Sequence, residues 1–469
     1  GMTSRKAKGI YDTLVKYEES EDIIIYLCDL GFSTKEALFI YKKRGSDTIR
    51  IVSENPYNLV EIGMPFNKID DMRKKLEISD DDPRRIRACI LNTVNDLCFK
   101  NGDTYVVIEE IALYLSSVFQ IHLEKEDLDY NLNLLNRESK LIIGNNKYYL
   151  KMYYDAEVNI AVSLIHYNNE KSEVSGDIEN YMTDLEKANN IVYNKEQKEA
   201  ISKALTNNML IITGGPGTGK TTIIRAIVDI YQKLNNLTYE ELVSDISLIA
   251  PTGRASKRMS ESTMLPAFTI HRFLKWNKET DSFAINEYNK SGTKFVIIDE
   301  VSMIDTMLLS NLLKGLKSHV KLIMVGDYNQ LPSVGPGQIL KDLIESNIIN
   351  IVSLNLLYRQ GETSYIPVLA NDIKNNSISE DLNQNRDDFS FIETSNEMVK
   401  NNVVKICEKA LAKGYSDRDI QVLCPMYKGE NGIEALNVSL QAIFNPKDIE
   451  KKEYKHGDVT YREGDKVLQ

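Results

Sequence analysis

The stretch IITGGPGTGKTT, residues 211–222, decides the fold. A short β-branched run breaks into glycines and closes on a lysine and two threonines, matching G-x-x-x-x-G-K-[ST] between a predicted strand and helix. Glycines let backbone N–H groups turn inward onto phosphates, and the following helix N-terminus adds partial positive charge. The expected phosphate contacts are Gly215, Gly217, Thr218, Gly219, Lys220, Thr221 and Thr222. Lys220 reaches the β- and γ-phosphates, and the Thr221 hydroxyl ligates Mg²⁺.

Working outward, short β-branched runs alternate with helical segments: MLIIT (209–213), ISLIAP (246–251), FVIID (295–299), KLIMVGD (321–327), INIVSLN (349–355) and IQVLCP (420–425). Such alternation predicts an α/β fold with parallel sheets covered by helices on both faces. In VIIDEVSMID (296–305), Asp299 leaves the C-terminal end of a strand, where open α/β sheets place ligands. Asp299 is expected to hold Mg²⁺ through water, and Glu300 to polarise an attacking water as general base. Gln330, after the next strand, senses the γ-phosphate, since an amide both donates and accepts.

Residues 1–190 read as a mainly helical extension. Apolar residues recur at helical spacing over 23–44, interrupted by LGFS, and Pro56, Gly63 and Pro65 mark further turns. Another amphipathic helix runs over 84–100. KLIIGNNKYYL (140–150) predicts a hairpin turning at Gly144–Asn145. The expected boundaries are a helical-hairpin region over 1–82, a winged-helix-like region over 83–165 and a linker over 166–190. A P-loop domain follows over 191–348, then a second domain of the same kind over 349–469.

At 469 residues, with 42% hydrophobic and 27% charged residues, the chain is ordinary for a multidomain globular protein. No apolar run approaches the roughly 18–20 residues that cross a bilayer. The opening GMTSRKAKGIYDTL lacks the apolar core of a secretory signal. Five scattered cysteines, without a C-x-x-C pair, argue for a reducing, cytoplasmic setting and against a zinc site. A net charge of −11 confines any nucleic-acid contact to a local groove or patch.

These segments, with APTGRASKRM (250–259), FTIHRFL (268–274), LNLLYRQ (354–360) and PMYKGENGIEALN (425–437), closely resemble the RecD-like branch of superfamily 1 DNA helicases with a long N-terminal extension. The resemblance implies RecA-like motor domains that use ATP and Mg²⁺ to move 5′→3′ on single-stranded DNA. It implies engagement of duplex–single-strand junctions in repair or recombination. It makes Gln197 the adenine reader, Gln330 the coupling glutamine and Arg359 the arginine that crosses the cleft to the γ-phosphate. Thr252, Arg254, Lys257 and Arg258 become the DNA-facing residues, the alternative being a solvated basic helix face. His271 is either near DNA or nucleotide, or structural.

The insert over 274–292 matches a small wedge that splits duplex, although Trp276 reads better as packing the hairpin on its own domain. DLGFS (29–33) and EIGMPF (61–66) resemble helix-hairpin-helix turns. Met64 and Pro65 depart from the usual glycine pattern, leaving phosphate binding and a structural or partner-docking role both open. YREGDKVLQ (461–469) resembles the opening of the second motor domain, so the chain is expected to be a truncated helicase. Losing an arginine from the far side of the cleft slows hydrolysis by ~10³–10⁵. The alternatives are a nucleotide-controlled DNA or protein clamp without motor activity, or a subunit of a nuclease complex.

Overall fold

The computed structural model describes residues 20–170, 176–278, 280–355 and 364–467. The chain divides into two compact units, Gly1–Arg359 and Gln360–Gln469.

The first unit opens on helical hairpins. Helix α1 (20–30) ends at Gly31, whose φ of +113° suits glycine, and α2 (Thr34–Arg44) starts from a Ser33–Glu36 capping box. Helix α3 (Thr48–Glu54), a 3₁₀ turn (Pro56–Ile62) and α4 (Phe66–Asp71) form the second hairpin, which turns at Gly63. The hairpin donors are already engaged. Gly31 and Phe32 N–H donate to Cys28 and Leu27 carbonyls, and Gly63 and Met64 N–H to Val60 and Leu59. The Ser33 N–H is taken by Glu36 Oε2 at 2.8 Å, and Lys68 pairs with the same carboxylate at 2.6 Å. Pro65 has no N–H to offer.

Helix α5 (Pro83–Asn101) follows, capped by Asp82 and ended by Gly102. Arg85 on α5 reaches back to Asp70 at 2.9 Å, and the Tyr57 hydroxyl donates to the same carboxylate at 2.7 Å, all three buried. Strand β1 (Tyr105–Val106), helices α6 (Ile108–Phe119) and α7 (Lys125–Arg137), and the hairpin β2 (Leu141–Gly144)–β3 (Lys147–Leu150) complete a three-stranded sheet ordered β1-β3-β2. The hairpin turns on Asn145 and Asn146, both at positive φ, not at Gly144–Asn145. Gly144 pairs with Lys147 instead. Two consecutive left-handed residues make the tight turn whose twist matches the strands.

Helix α8 (Lys151–Asn169) belongs to two cores. Tyr153 packs among the N-terminal helices, whereas Ile160, Leu164 and Tyr167 pack under the next sheet. Asn159 Nδ2 donates to Ser310 O at 3.1 Å, and the Tyr167 hydroxyl to Lys317 O at 3.1 Å. The span 166–190 is therefore largely not a linker. The end of α8 occupies its start, and α9 (Ile178–Asn189) occupies 178–189, burying Met182 and Leu185. Residues 171–175 lie outside the described residues.

The central sheet is parallel and six-stranded, ordered β11-β4-β10-β9-β5-β6. Its elements in chain order are α10 (Lys195–Thr206), β4 (Met209–Gly214), α11 (Lys220–Leu234), α12 (Tyr239–Asp245), β5 (Ile246–Ala250), α13 (Gly253–Thr263), β6 (Ala267–Thr269) and α14 (Ile270–Phe273). A short hairpin, β7 (Trp276–Asn277) with β8 (Ser282–Phe283), precedes β9 (Phe295–Ile298), α15 (Thr306–Lys314), β10 (Lys321–Gly326), α16 (Ile339–Glu345) and β11 (Ile351–Leu354). Alternate strand residues serve opposite faces: Leu210 and Ile212 on one, Met209 and Ile211 on the other. Burial on both faces explains the uninterrupted apolar runs. Strand β11 pairs with β4, so residues 351–354 close the first sheet and do not open a second one at 349.

The second unit contains α17 (Ile366–Lys374), α18 (Val399–Ala412), α19 (Ile433–Phe444) and the antiparallel hairpin β12 (Glu453–His456)–β13 (Val459–Arg462). IQVLCP (420–425) forms no strand, and Leu423 is 87% exposed. No parallel sheet occurs among the described residues of this unit. A solitary strand would leave backbone groups unpaired along both edges, so the segment stays irregular.

Arg85→Ala leaves Asp70 buried without its main partner and should destabilise the first unit by about 3–5 kcal/mol, read as a loss in chemical denaturation. Burial pushes Lys321 from its ordinary 10.5 down to about 8, while its ammonium caps the C-terminal carbonyls of α10 at Leu205 and Asn207. Between those pH values the unfolded chain binds more protons than the folded one, so this group makes stability rise with pH. Lys321→Met should flatten that slope in denaturation curves collected across the same window.

Candidate active site

The register of the parallel strands sets the site. Thr213 on β4 is opposite Gly326 on β10, and Ile298 on β9 is opposite Met324, so the P-loop, Asp299 and Asp327 all leave the sheet at one edge. The P-loop turns through Gly217 and Gly219 at φ of +82° and +87°. Close packing also requires glycine. A Cβ on Gly219 would lie 2.5 Å from Gln197 Nε2, and one on Gly214 would lie 2.9 Å from Leu354 O. The Thr218 hydroxyl braces the loop by donating to Gly215 O at 2.9 Å. Thr221 and Thr222 follow Lys220 in the first turn of α11, with Thr222 exposed.

Lys220 folds back into the loop, donating to Gly214 O at 2.6 Å and Gly215 O at 2.9 Å. Burial holds its pKa below the usual lysine range, against the pull of Asp327, Asp299 and Glu300. Those carbonyl contacts are ones that phosphate oxygens would replace with charge-assisted bonds.

Asp299 is 7% exposed, and burial pushes its carboxyl up to about 6. Its Oδ1 accepts from the Glu300 N–H at 2.9 Å. Glu300 sits at φ +55°, ψ +44°, a left-handed conformation that costs a non-glycine residue about 1–3 kcal/mol. Its Oε2 is buried without a hydrogen-bond partner among the described residues, and so are Ser302 Oγ and Thr213 Oγ1. A strained residue holding an orphaned carboxylate oxygen beside the P-loop is prepared for a ligand that supplies the missing partner. No group of three or more His, Cys, Asp or Glu among the described residues forms a metal cage by itself.

Asp327 completes the set and was not among the residues expected from sequence. It is 3% exposed, its Oδ1 accepts from the Asn329 N–H at 3.0 Å, and its charge acts on Lys220. The signal was present: an acid directly after the apolar run KLIMVG, as Asp299 follows FVII.

The other expected residues divide. Gln197 is buried against the P-loop, Nε2 donating to Thr218 O at 3.2 Å and Oε1 accepting from Asn194 N–H at 3.1 Å. As placed, its amide braces the loop and caps α10. Gln330 is exposed on the loop after β10, and Arg359 lies outside the described residues. Thr252 caps α13 by accepting from Ala255 N–H at 3.2 Å, with Arg254 and Arg258 exposed on that helix. Lys257 turns outward toward Glu261, 3.9 Å away.

His271 stands apart from them, in an aromatic group with Trp276 and Phe283 at centroid distances of 6.1 and 5.8 Å. Trp276 packs on Phe283 at 4.8 Å and remains 40% exposed. The insert also touches the N-terminal helices through Lys43 Nζ, which donates to Thr280 O at 2.9 Å.

Gly219→Ala forces a Cβ onto Gln197 at a positive φ. It should destabilise the fold by about 1–3 kcal/mol and weaken nucleotide binding, read by thermal melting and by titration with MgATP.

A family model described as "ATP-dependent RecD2 DNA helicase HHH domain" matches residues 16–105, and one described as "AAA domain" matches residues 197–336. An ATP-dependent RecD2 DNA helicase of Deinococcus radiodurans is 27% identical over 429 residues, covering 89% of this chain and 57% of that protein. The RecBCD enzyme subunit RecD of Buchnera aphidicola is 29% identical over 388 residues, 68% of this chain and 63% of its own. That of Haemophilus influenzae is 34% identical over 170 residues, 32% of this chain and 26% of its own. The chain thus spans 57% and 63% of the length of the first two relatives. With one match on the helical hairpins and another on the P-loop domain, it resembles the RecD-like helicases along both, with a helix-hairpin-helix region ahead of the P-loop domain.

Proposed function

We propose that the chain is the nucleotide-binding part of an ATP-dependent DNA helicase that moves 5′→3′ on single-stranded DNA in repair or recombination. The observation that carries this reading is the convergence of Lys220, Asp299, Glu300 and Asp327 on one edge of the sheet, beneath the P-loop. The helicases among its relatives supply the DNA substrate, and the polarity follows the same resemblance.

In this reading Lys220 exchanges its two loop carbonyls for the β- and γ-phosphates. The Thr221 hydroxyl and, through water, the Asp299 carboxylate would hold magnesium, which would supply neutralising charge on those phosphates. Glu300 holds the attacking water and accepts its proton, using the oxygen that lacks a partner. Gln330 and Arg359 link the nucleotide state to movement. Single-stranded DNA crosses the start of α13 at Thr252 and Arg254, and the insert over 274–292 meets the duplex at the junction.

The test is ATP hydrolysis by this chain with and without single-stranded DNA. Lys220→Ala should abolish MgATP binding. Glu300→Gln should keep binding while slowing turnover by ~10²–10⁴, the usual share of a general base. Turnover that ignores DNA, or survives Lys220→Ala, overturns the reading. ATP-dependent DNA binding without any hydrolysis favours a clamp.

A further inference from the structure

The insert between α14 and β9 leaves an open cleft of about 520 Å³ against the start of α15. One wall of it is aromatic. Trp276 and Phe283, cross-strand partners in the β7–β8 hairpin, pack with ring centroids 4.8 Å apart, and the His271 ring lies 6.1 and 5.8 Å from them. Trp276 stays 40% exposed in spite of these contacts.

Apart from His271, the ionisable groups of the lining are acids: Asp281 and Glu287 on the insert, and Asp305 at the cap of α15. Asp305 commits one oxygen to the Leu308 N–H at 2.8 Å. Asp281 and Glu287 are exposed, and neither side chain enters an ion pair or hydrogen bond among the described residues. The lining includes no lysine or arginine among the described residues. Lys43, which reaches the insert from α2, is held by the Thr280 carbonyl at 2.9 Å. Like charges along one cleft repel each other, and for the same reason they repel the phosphates of DNA. An exposed ring face beside carboxylates attracts a cation instead, through the negative face of the ring and through direct charge.

We propose that this cleft receives an arginine side chain from a basic segment of a partner protein, its guanidinium stacked on Trp276 and paired with Asp281 and Glu287. Arginine suits the site better than lysine, because its plane covers a ring while its N–H groups reach carboxylates to the side. The volume falls within the ~300–1,000 Å³ of small-ligand pockets, which leaves room for the residues flanking that arginine. The inference does not rest on the nucleotide reading.

Trp276 is the one tryptophan of the sequence, so its fluorescence reports on this cleft. The experiment titrates the whole chain with a capped peptide of alternating arginine and glycine, with the same peptide carrying citrulline for arginine, and with a single-stranded oligonucleotide. The arginine peptide should change the emission saturably. Citrulline keeps the shape without the charge and should bind at least about tenfold more weakly. Asp281→Asn combined with Glu287→Gln should weaken the arginine peptide by about 3–10-fold, the worth of two exposed charge pairs. Glu126→Gln combined with Asp127→Asn removes equal charge from exposed positions on α7 and should change binding by no more than about twofold. Trp276→Leu, read by calorimetry, should weaken the peptide by about 5–30-fold. An unchanged emission, or a citrulline peptide that binds equally well, overturns the proposal. Equal weakening by the two pairs of charge substitutions would mean general attraction to an acidic protein and overturns it as well. Emission that responds to the oligonucleotide and not to the peptide would make the aromatic wall a DNA contact instead.

Discussion

Parallel pairing is the constraint on which the rest of the structure depends. Because β4, β9, β10 and β5 run the same way in a fixed register, their C-terminal residues leave the sheet along one edge. Among the described residues, this pairing is what brings positions as far apart in sequence as 220, 299 and 327 together. The cost is that the strands are buried on both faces, which demands helices above and below. One face is covered by α9 and by helices of the P-loop domain itself. The other face is covered partly by α8, which arrives from the N-terminal region.

At that edge the electrostatics are unsettled by design. Lys220 is held below its usual range and Asp299 above its own, both chiefly by burial. Glu300 adds a left-handed backbone and an unpartnered oxygen. Each of these is a free-energy cost carried by the fold, one that in the proposed reading an incoming magnesium–phosphate group relieves. The sheet core, with Ile211, Val296, Ile297 and Leu322 fully buried, provides the stability against which such costs are tolerated.

Much of this was legible in the sequence, and the failures have physical causes. The P-loop and the Asp299–Glu300 pair read directly because each needs a short motif at the end of an apolar run. Asp327 carries the same signal, directly after KLIMVG and three residues before Gln330. The bracing role of Gln197 was readable too, since Asn194-x-x-Gln197 is a capping box. Other features were beyond local pattern. Periodicity identifies residues 351–354 as a strand but does not say which sheet receives it, because parallel partners are remote in sequence. The stretch after His166 looks polar, yet Tyr167 continues the buried spacing of Ile160 and Leu164, visible only once both cores are known. A β-branched run at 420–425 is not a strand until neighbours pair with it.

Helix α8 has one further consequence. Its nineteen residues hold one end in the N-terminal core and the other beneath the central sheet, without a break between. Opening either core alone would mean severing a continuous ladder of helical hydrogen bonds at its middle. The helical hairpins and the central sheet are therefore one cooperative unit, joined by a rigid strut. A load applied at the N-terminal helices reaches the far face of the sheet as displacement, with no hinge in α8 to absorb it.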